Sequence, residues 1–139
     1  MSAKPDSKQE VQYEHVFVYG TLVNGSGYDA VIHGFRKDDT GCYPTLVPDG
    51  DGKVVGEVHK VTHRRLKELD HYEGVEQGLY TRVRLPMDIQ AYIGDPDRLG
   101  SDADYEYDEA RLQEVADMAL VTIRGDSRPS EVPVEEASR

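Results

Sequence analysis

One glutamate has an unusual position in a helical pattern. In the stretch "THRRLKELDHYEGV", Leu66 and Leu69 are spaced as on one face of a helix, and Glu73 follows four residues after Leu69. This spacing places the Glu73 carboxylate on the face that the leucines bury. Burial and the negative end of the helix dipole both disfavour the charged form, so we expect a raised pKa for Glu73. Such a carboxylate is suited to general acid or base catalysis.

The pattern leaves other interpretations of Glu73 open. The side chain is equally well explained by an ion pair with an arginine such as Arg82, or by a helix end that frays into solvent. A cavity shared by Glu73 and Gly20 would favour a catalytic role, whereas an ion pair with Arg82 or Arg84 would favour a structural one.

A second candidate group is the backbone at the end of the first predicted strand. The apolar run Val16–Tyr19 stops at Gly20, and a glycine-rich turn follows at Asn24–Gly27. The end of a buried strand exposes N–H groups, and glycine lets a ligand approach the backbone closely. An ordinary strand-to-turn junction explains the same pattern. The residues that could hold a carboxylate or a polarised carbonyl oxygen are Tyr19, Gly20, Thr21 and Leu22.

Other catalytic signatures are missing from the sequence. Cys42 is the only cysteine, which excludes an intrachain disulfide and a thiolate zinc cluster, and we expect no catalytic role for it. His59 and His63 are four residues apart but fall at a strand end and a helix start, so we expect no metal there. The chain has no phosphate-binding loop and no nucleophile elbow. We therefore expect neither a metal nor a cofactor.

The elements that position these groups follow from hydrophobic periodicity. Helices are predicted from the N-cap Thr62 to the stop at Gly74 and over Asp108–Leu120. Few helices and many strands indicate an α+β fold or a small barrel. Residues 1–14 are predicted to be a flexible leader, residues 15–123 one domain with an acidic loop and helix at 95–120, and residues 124–139 a disordered acidic tail. The predicted strands are Val16–Tyr19, Ala30–Phe35, Thr45–Val47, Lys53–Val61, Leu79–Met87 and Ile89–Gly94.

Composition limits the partners and the location. The 139 residues carry a formal net charge of −11, from 27 acidic and 16 basic residues. Such a surface repels nucleic acid and anionic lipid, so neither is expected as a partner. No apolar run is long enough to span a bilayer, and the N-terminus lacks a signal-peptide core. The expected location is the cytoplasm.

Five segments of the chain follow one another in an order that is specific as a set. They are "VFVYGTL", "GCYPTLVPD", "VVGEVHKV", "LKELDHYEGVEQGLYTRVRLPM" and "QAYIG". Together they resemble the γ-glutamylcyclotransferase-like family, in the short form that includes γ-glutamylamine cyclotransferases and plant AIG2-like proteins. The similarity runs from about Val16 to Ile93. Between Leu22 and Gly34 the chain is shorter than many family members.

The resemblance implies a small mixed β-barrel with flanking helices. It also implies that a small γ-glutamyl compound is converted into 5-oxoproline, with release of an amine or amino acid. Glu73 occupies the acid/base position of the family, and Tyr19, Gly20, Thr21 and Leu22 occupy its substrate-binding loop. Tyr43 and Tyr80 match aromatic positions near the pocket. The oligomeric state does not follow from the resemblance.

Two rival functions remain open from the sequence. The first is a non-catalytic family member that binds a metabolite or a protein through the pocket or the acidic C-terminal helix. The second is a different cyclising or amide-cleaving enzyme that uses the same site.

Overall fold

The computed structural model describes residues 12–20 and 25–124, which form a mixed α+β domain. The strands are β1 (Tyr13–Val18), β2 (Tyr28–Asp38), β3 (Thr45–Thr62), β4 (Tyr80–Leu85), β5 (Ile89–Gly94) and β6 (Leu120–Ile123). The helices are α1 (His63–Tyr72), α2 (Pro96–Leu99) and α3 (Glu109–Asp117), and a short 3-10 turn covers Pro86–Asp88.

The six strands pair in one sheet in the order β4-β5-β1-β3-β2-β6. β1 lies inside this sheet, where it runs parallel to β5 and antiparallel to β3. Val16 and Val18 pack in one apolar cluster with α1, whereas Phe17 packs in the other with β2, β3 and α3. The strand is therefore buried on both faces, as its continuous apolar run predicts.

The long strand β3 differs from the sequence prediction. The pattern predicts a loop over 38–52 with a short strand Thr45–Val47, but β3 is one strand of 18 residues. It forms because β2 extends to Asp38 and offers a partner to both halves of β3. A register shift between His33 and Phe35 takes up the extra residues around the glycines of β3.

The two ends of the domain also differ from the prediction. β1 begins at Tyr13 rather than after a leader of 14 residues, because Tyr13 and Glu14 pair with the end of β3. The last long helix ends at Asp117, and Leu120 belongs to β6. This strand forms on the free edge of β2, where it pairs with Ala30–His33. The rest of the predicted leader and the tail from residue 125 lie outside the described residues.

The expected closed barrel is not confirmed, since β4 and β6 lie at the two ends of the sheet order. Helix α3 packs against β4 instead of a further strand. The Gln113 amide satisfies the β4 edge: its Oε1 accepts from Arg84 N at 3.0 Å and its Nε2 donates to Arg84 O at 2.8 Å. At Arg84 a side chain thus makes the two hydrogen bonds that a neighbouring strand would make.

Candidate active site

Helix α1 delivers Glu73 to the interior. The Thr62 hydroxyl caps its first turn by accepting from Arg65 N at 2.9 Å, as the sequence predicts. Leu66 and Leu69 are buried on its inner face. Glu73 is the C-cap residue and is only 3% exposed. The helical spacing therefore predicts its burial correctly.

Gly74 allows the chain to turn away immediately after Glu73. Its φ of +70° lies in the left-handed region that glycine adopts without cost. The N–H groups of Gly74 and Val75 donate to His71 O and Asp70 O and so close the end of the helix. This turn fixes the direction in which the last residue of the helix faces.

Glu73 and the end of β1 border the same cavity, which has a volume of about 270 Å³. Apolar and aromatic side chains dominate its walls, and Glu73 is the one carboxylate among the described residues that line it. The lining residues are Val16, Phe17, Val18, Tyr19, Gly20, Tyr43, Pro44, Tyr72, Glu73, Tyr80 and Tyr92.

The residues after β1 are held in place by contacts to other elements. The Tyr19 hydroxyl donates to Tyr92 O on β5, and Lys37 Nζ donates to Tyr19 O at 3.2 Å. These contacts fix the backbone that leads into Gly20 at the cavity wall. Thr21 and Leu22, the other two residues of the predicted binding loop, lie outside the described residues.

The two predicted aromatic positions occupy different parts of the wall. Tyr80 is buried, and its hydroxyl donates to Pro44 O at 2.7 Å. Tyr43 is 47% exposed and therefore lies at the cavity mouth. The structure thus brings Tyr43 and Tyr80 together with Tyr19, Gly20 and Glu73 around one cavity.

Arg82 and Arg84 form ion pairs with aspartates. Arg82 Nε contacts Asp70 Oδ1 at 2.9 Å, and Arg84 Nε contacts Asp88 Oδ1 at 3.2 Å. The ion pairs that the structure records for these two arginines are thus with aspartates, and the burial of Glu73 excludes a helix end that frays into solvent.

Tyr92 links the cavity to this surface ion pair, and sequence reasoning missed it. Its hydroxyl donates to Asp70 Oδ1 at 2.6 Å, and its backbone carbonyl accepts from Tyr19. Burial and the hydrogen bond to the Asp70 carboxylate both raise the pKa of Tyr92, which keeps the phenol protonated. The sequence signal that could identify Tyr92 is a tyrosine, whose hydroxyl needs a partner, within the apolar run "IQAYIG".

Tyr72 and Pro44 also line the cavity and were not predicted. Tyr72 is 53% exposed and directly precedes Glu73, so the helical pattern alone assigns it to the surface. It reaches the mouth because α1 ends there. Pro44 precedes β3 and accepts the Tyr80 hydrogen bond, a contact that no local pattern indicates.

The residues considered for other chemistry, His59, His63 and Cys42, do not line the cavity. His59 is buried beside Glu57, whereas His63 is exposed beside Glu14. Over residues 12–20 and 25–124, no group of three or more His, Cys, Asp or Glu side chains is placed to bind a metal ion. Cys42 is exposed. In the same part of the chain, no helix has the length and hydropathy needed to cross a bilayer.

Comparison with protein families decides where the chain belongs. The model of the family described as "Gamma-glutamyl cyclotransferase, AIG2-like" matches residues 16–113, which include the end of β1, Glu73 and the first part of α3. The chain belongs to this family. It is 32% identical over 127 residues to AIG2-like protein C of Arabidopsis thaliana, a match that covers 84% of the chain and 72% of that relative.

Solved structures share this fold of the γ-glutamyl cyclotransferase, AIG2-like family. The solution structure of the Arabidopsis thaliana protein At5g39720.1 has a TM-score of 0.50 and 26% identity, and the match covers 76% of this chain and 85% of that one. The YkqA protein of Bacillus subtilis has a TM-score of 0.52 and 19% identity, over 65% of this chain and 43% of that one.

Proposed function

We propose that the chain is a γ-glutamyl cyclotransferase that converts a small γ-glutamyl compound into 5-oxoproline. The observation that carries this proposal is that the buried Glu73 and the backbone of Gly20 border one cavity of about 270 Å³. Pockets for drug-sized ligands usually measure about 300–1,000 Å³, so this cavity suits a smaller molecule. Membership in the γ-glutamyl cyclotransferase, AIG2-like family supports the same reaction class.

The proposed reaction needs no nucleophile from the protein. The α-amine nitrogen of the substrate attacks its own γ-carbonyl carbon and forms the five-membered lactam. The bond from that carbon to the γ-amide nitrogen then breaks and releases an amine or amino acid. Holding the two reacting groups together contributes up to about 7–11 kcal/mol in well-oriented intramolecular reactions.

Glu73 would move the proton that this reaction requires. At neutral pH the α-amine arrives as an ammonium group, and its proton passes to the Glu73 carboxylate before attack. The carboxyl group then delivers this proton to the leaving nitrogen, which is a poor leaving group until it is protonated. The attacking nitrogen loses a second proton as the lactam forms, and this proton passes through the Glu73 carboxylate to the released amine. General acid–base catalysis of this kind contributes on the order of 10²–10⁴ in rate.

The backbone after β1 would bind the negative charges of the substrate. In this proposal the N–H groups of Gly20, Thr21 and Leu22 would donate to the α-carboxylate or to the oxyanion that develops on the γ-carbonyl. One oxyanion contact is worth about 10²–10³ in rate. Tyr19, Tyr43 and Tyr80 would form the aromatic wall around the glutamyl chain.

A substrate panel tests the proposed function. Purified protein is incubated with γ-glutamyl amines, γ-glutamyl amino acids, γ-glutamyl-ε-lysine and glutathione, and 5-oxoproline is quantified by mass spectrometry. We expect 5-oxoproline and the free amine in equal amounts from at least one class. Binding of these compounds without any 5-oxoproline would contradict the proposal and favour a non-catalytic binding protein. Cleavage to glutamate would instead indicate a hydrolase.

A further inference from the structure

A buried carboxylate and imidazole lie on β3 next to the cavity strand. Glu57 and His59 are 4% and 2% exposed, and Glu57 Oε1 lies 2.9 Å from His59 Nε2. Their partners across the sheet are Val18 and Val16 of β1. Directly opposed residues of antiparallel strands have side chains on the same face. The pair therefore lies on the same face of the sheet as Val16 and Val18, both of which line the cavity.

The same carboxylate binds the backbone that enters β2. Gly25 N donates to Glu57 Oε2 at 2.9 Å. Gly27 is buried against the imidazole, since a Cβ at this position would lie 3.0 Å from His59 Nε2 and 2.7 Å from Val58 O. Glu57 and His59 thus hold the C-terminal end of the connection that begins at Gly20.

His59 satisfies only one of its ring nitrogens among the described residues. With Nε2–H donated to Glu57, Nδ1 is left buried with no hydrogen-bond partner in that part of the chain. An unpaired buried polar atom is unfavourable, and an apolar side chain would fill this space without that cost. The hydrogen bond from Nε2 offsets part of this cost. It also orients the Glu57 carboxylate, which accepts from Gly25 N.

We propose that Glu57 and His59 are positioning residues for substrate binding, which act by anchoring Gly25–Gly27 and so fixing the backbone at Gly20. This inference rests on the proposed function, because it assigns substrate contact to that backbone. Among the described residues after Gly20, Gly25 is held by Glu57, and Tyr28 is the first that pairs in the sheet. Loss of the Glu57 hydrogen bond removes one fixed point from this connection, and the added conformational entropy must be overcome when substrate binds.

Two substitutions of His59 separate this role from simple packing. His59→Phe keeps a flat ring but removes the N–H donor. In His59→Gln the side-chain amide is about as long as the histidine side chain and can still donate to Glu57. Val54→Ala is the matched control, because Val54 is buried on the same strand but packs in the other cluster, with Ile32 and Phe35. Unfolding temperatures of all variants are measured, and assays run well below the lowest of them.

The kinetic readout is the division of the effect between KM and kcat. We expect His59→Phe to raise KM about tenfold with kcat within about threefold, and His59→Gln to stay within about twofold of the wild type. Val54→Ala should lose thermal stability with KM unchanged. An unchanged KM in His59→Phe, or a KM in His59→Gln as high as in His59→Phe, would overturn the inference.

Amide hydrogen exchange tests the anchor without any reaction. We expect faster exchange at Gly25, whose N–H donates to Glu57, in His59→Phe than in the wild type, and protection restored in His59→Gln. If no substrate is turned over, the proposed function fails, and the exchange experiment alone tests whether Glu57 and His59 anchor Gly25–Gly27. Equal exchange at Gly25 in wild type and His59→Phe would then overturn it.

Discussion

The interior of this domain holds ionisable side chains that differ in their surroundings. Glu73 borders a cavity, whereas His59 is enclosed in the sheet beside Glu57. Burial lowers the pKa of His59, and the neighbouring Glu57 carboxylate opposes this shift without reversing it. The folded protein therefore favours the neutral imidazole, which fits a residue whose Nε2–H donates to Glu57.

This preference predicts how stability depends on pH. The ordinary pKa of histidine is 6.5, and that of folded His59 is lower. Between these two values the unfolded chain binds more protons, so the free energy of unfolding falls as the pH drops below about 6.5. Urea unfolding from about pH 7 to about pH 5 should show a steeper loss for the wild type than for His59→Gln. Parallel curves would contradict this.

Asp38 makes the stability of the fold depend on pH in a lower range than His59 does. The hydroxyl of Ser101 lowers the pKa of the Asp38 carboxyl below its usual 3.8, and the hydrogen bonds from Thr40 act in the same direction. Its contribution to stability is therefore present above that value and is lost as the pH falls further. It does not interfere with the range in which His59 is tested.

At the scale of elements, α1 and the turn after it decide where Glu73 lies. The sequence could predict this because Leu66, Leu69 and Glu73 depend on one local period, and the cap residues Thr62 and Gly74 have clear types. At Gly74 the chain turns away from the helix, and it continues through Gly78 into β4. Both glycines have positive φ, but only one of them is crowded.

Alanine at these two glycines should have different costs. Gly74 and Gly78 have φ of +70° and +81°, so alanine is strained at both, by about 1–2 kcal/mol. A Cβ at Gly74 would also lie 3.1 Å from Leu79 Cβ, whereas a Cβ at Gly78 meets nothing within 4 Å. We expect Gly74→Ala to be the more destabilising of the two in urea unfolding. It should also lower kcat by shifting Glu73, with Gly78→Ala as its control. Equal losses of stability would show that Leu79 moves aside.

At the scale of the whole molecule, long-range pairing decides what the sequence pattern could not. β3 continues through Pro48 and the glycines after it because β2 pairs with it on both sides of them, and β6 forms because the edge of β2 is free. Neither condition can be inferred from a short window of the sequence. The same holds for Tyr92 and Pro44, which reach the cavity through contacts between distant elements. Local signals such as the apolar run of β1 predicted their elements well.

The acidic C-terminal helix is part of the core rather than an appendage. Leu112 and Ala116 of α3 are fully buried in the larger apolar cluster. Leu112→Ala should therefore cost about 2–5 kcal/mol of unfolding free energy, because it leaves a cavity between helix and sheet. Met118, 79% exposed just after the helix, provides the control, since Met118→Ala should change stability by less than about 0.5 kcal/mol. A small loss for Leu112→Ala would mean that α3 is not needed for the fold.

The most direct test of the proposed function compares the rate of 5-oxoproline release by Glu73→Gln and Glu76→Gln. Glu76 is three residues away and exposed, so its amide variant controls for the loss of one negative charge. A glutamine at position 73 keeps the shape of the side chain but cannot take up the ammonium proton. We expect Glu73→Gln to fold normally and to lose about 10²–10⁴ in rate, with Glu76→Gln unchanged. A Glu73→Gln rate within about threefold of the wild type would contradict the proposed proton transfer.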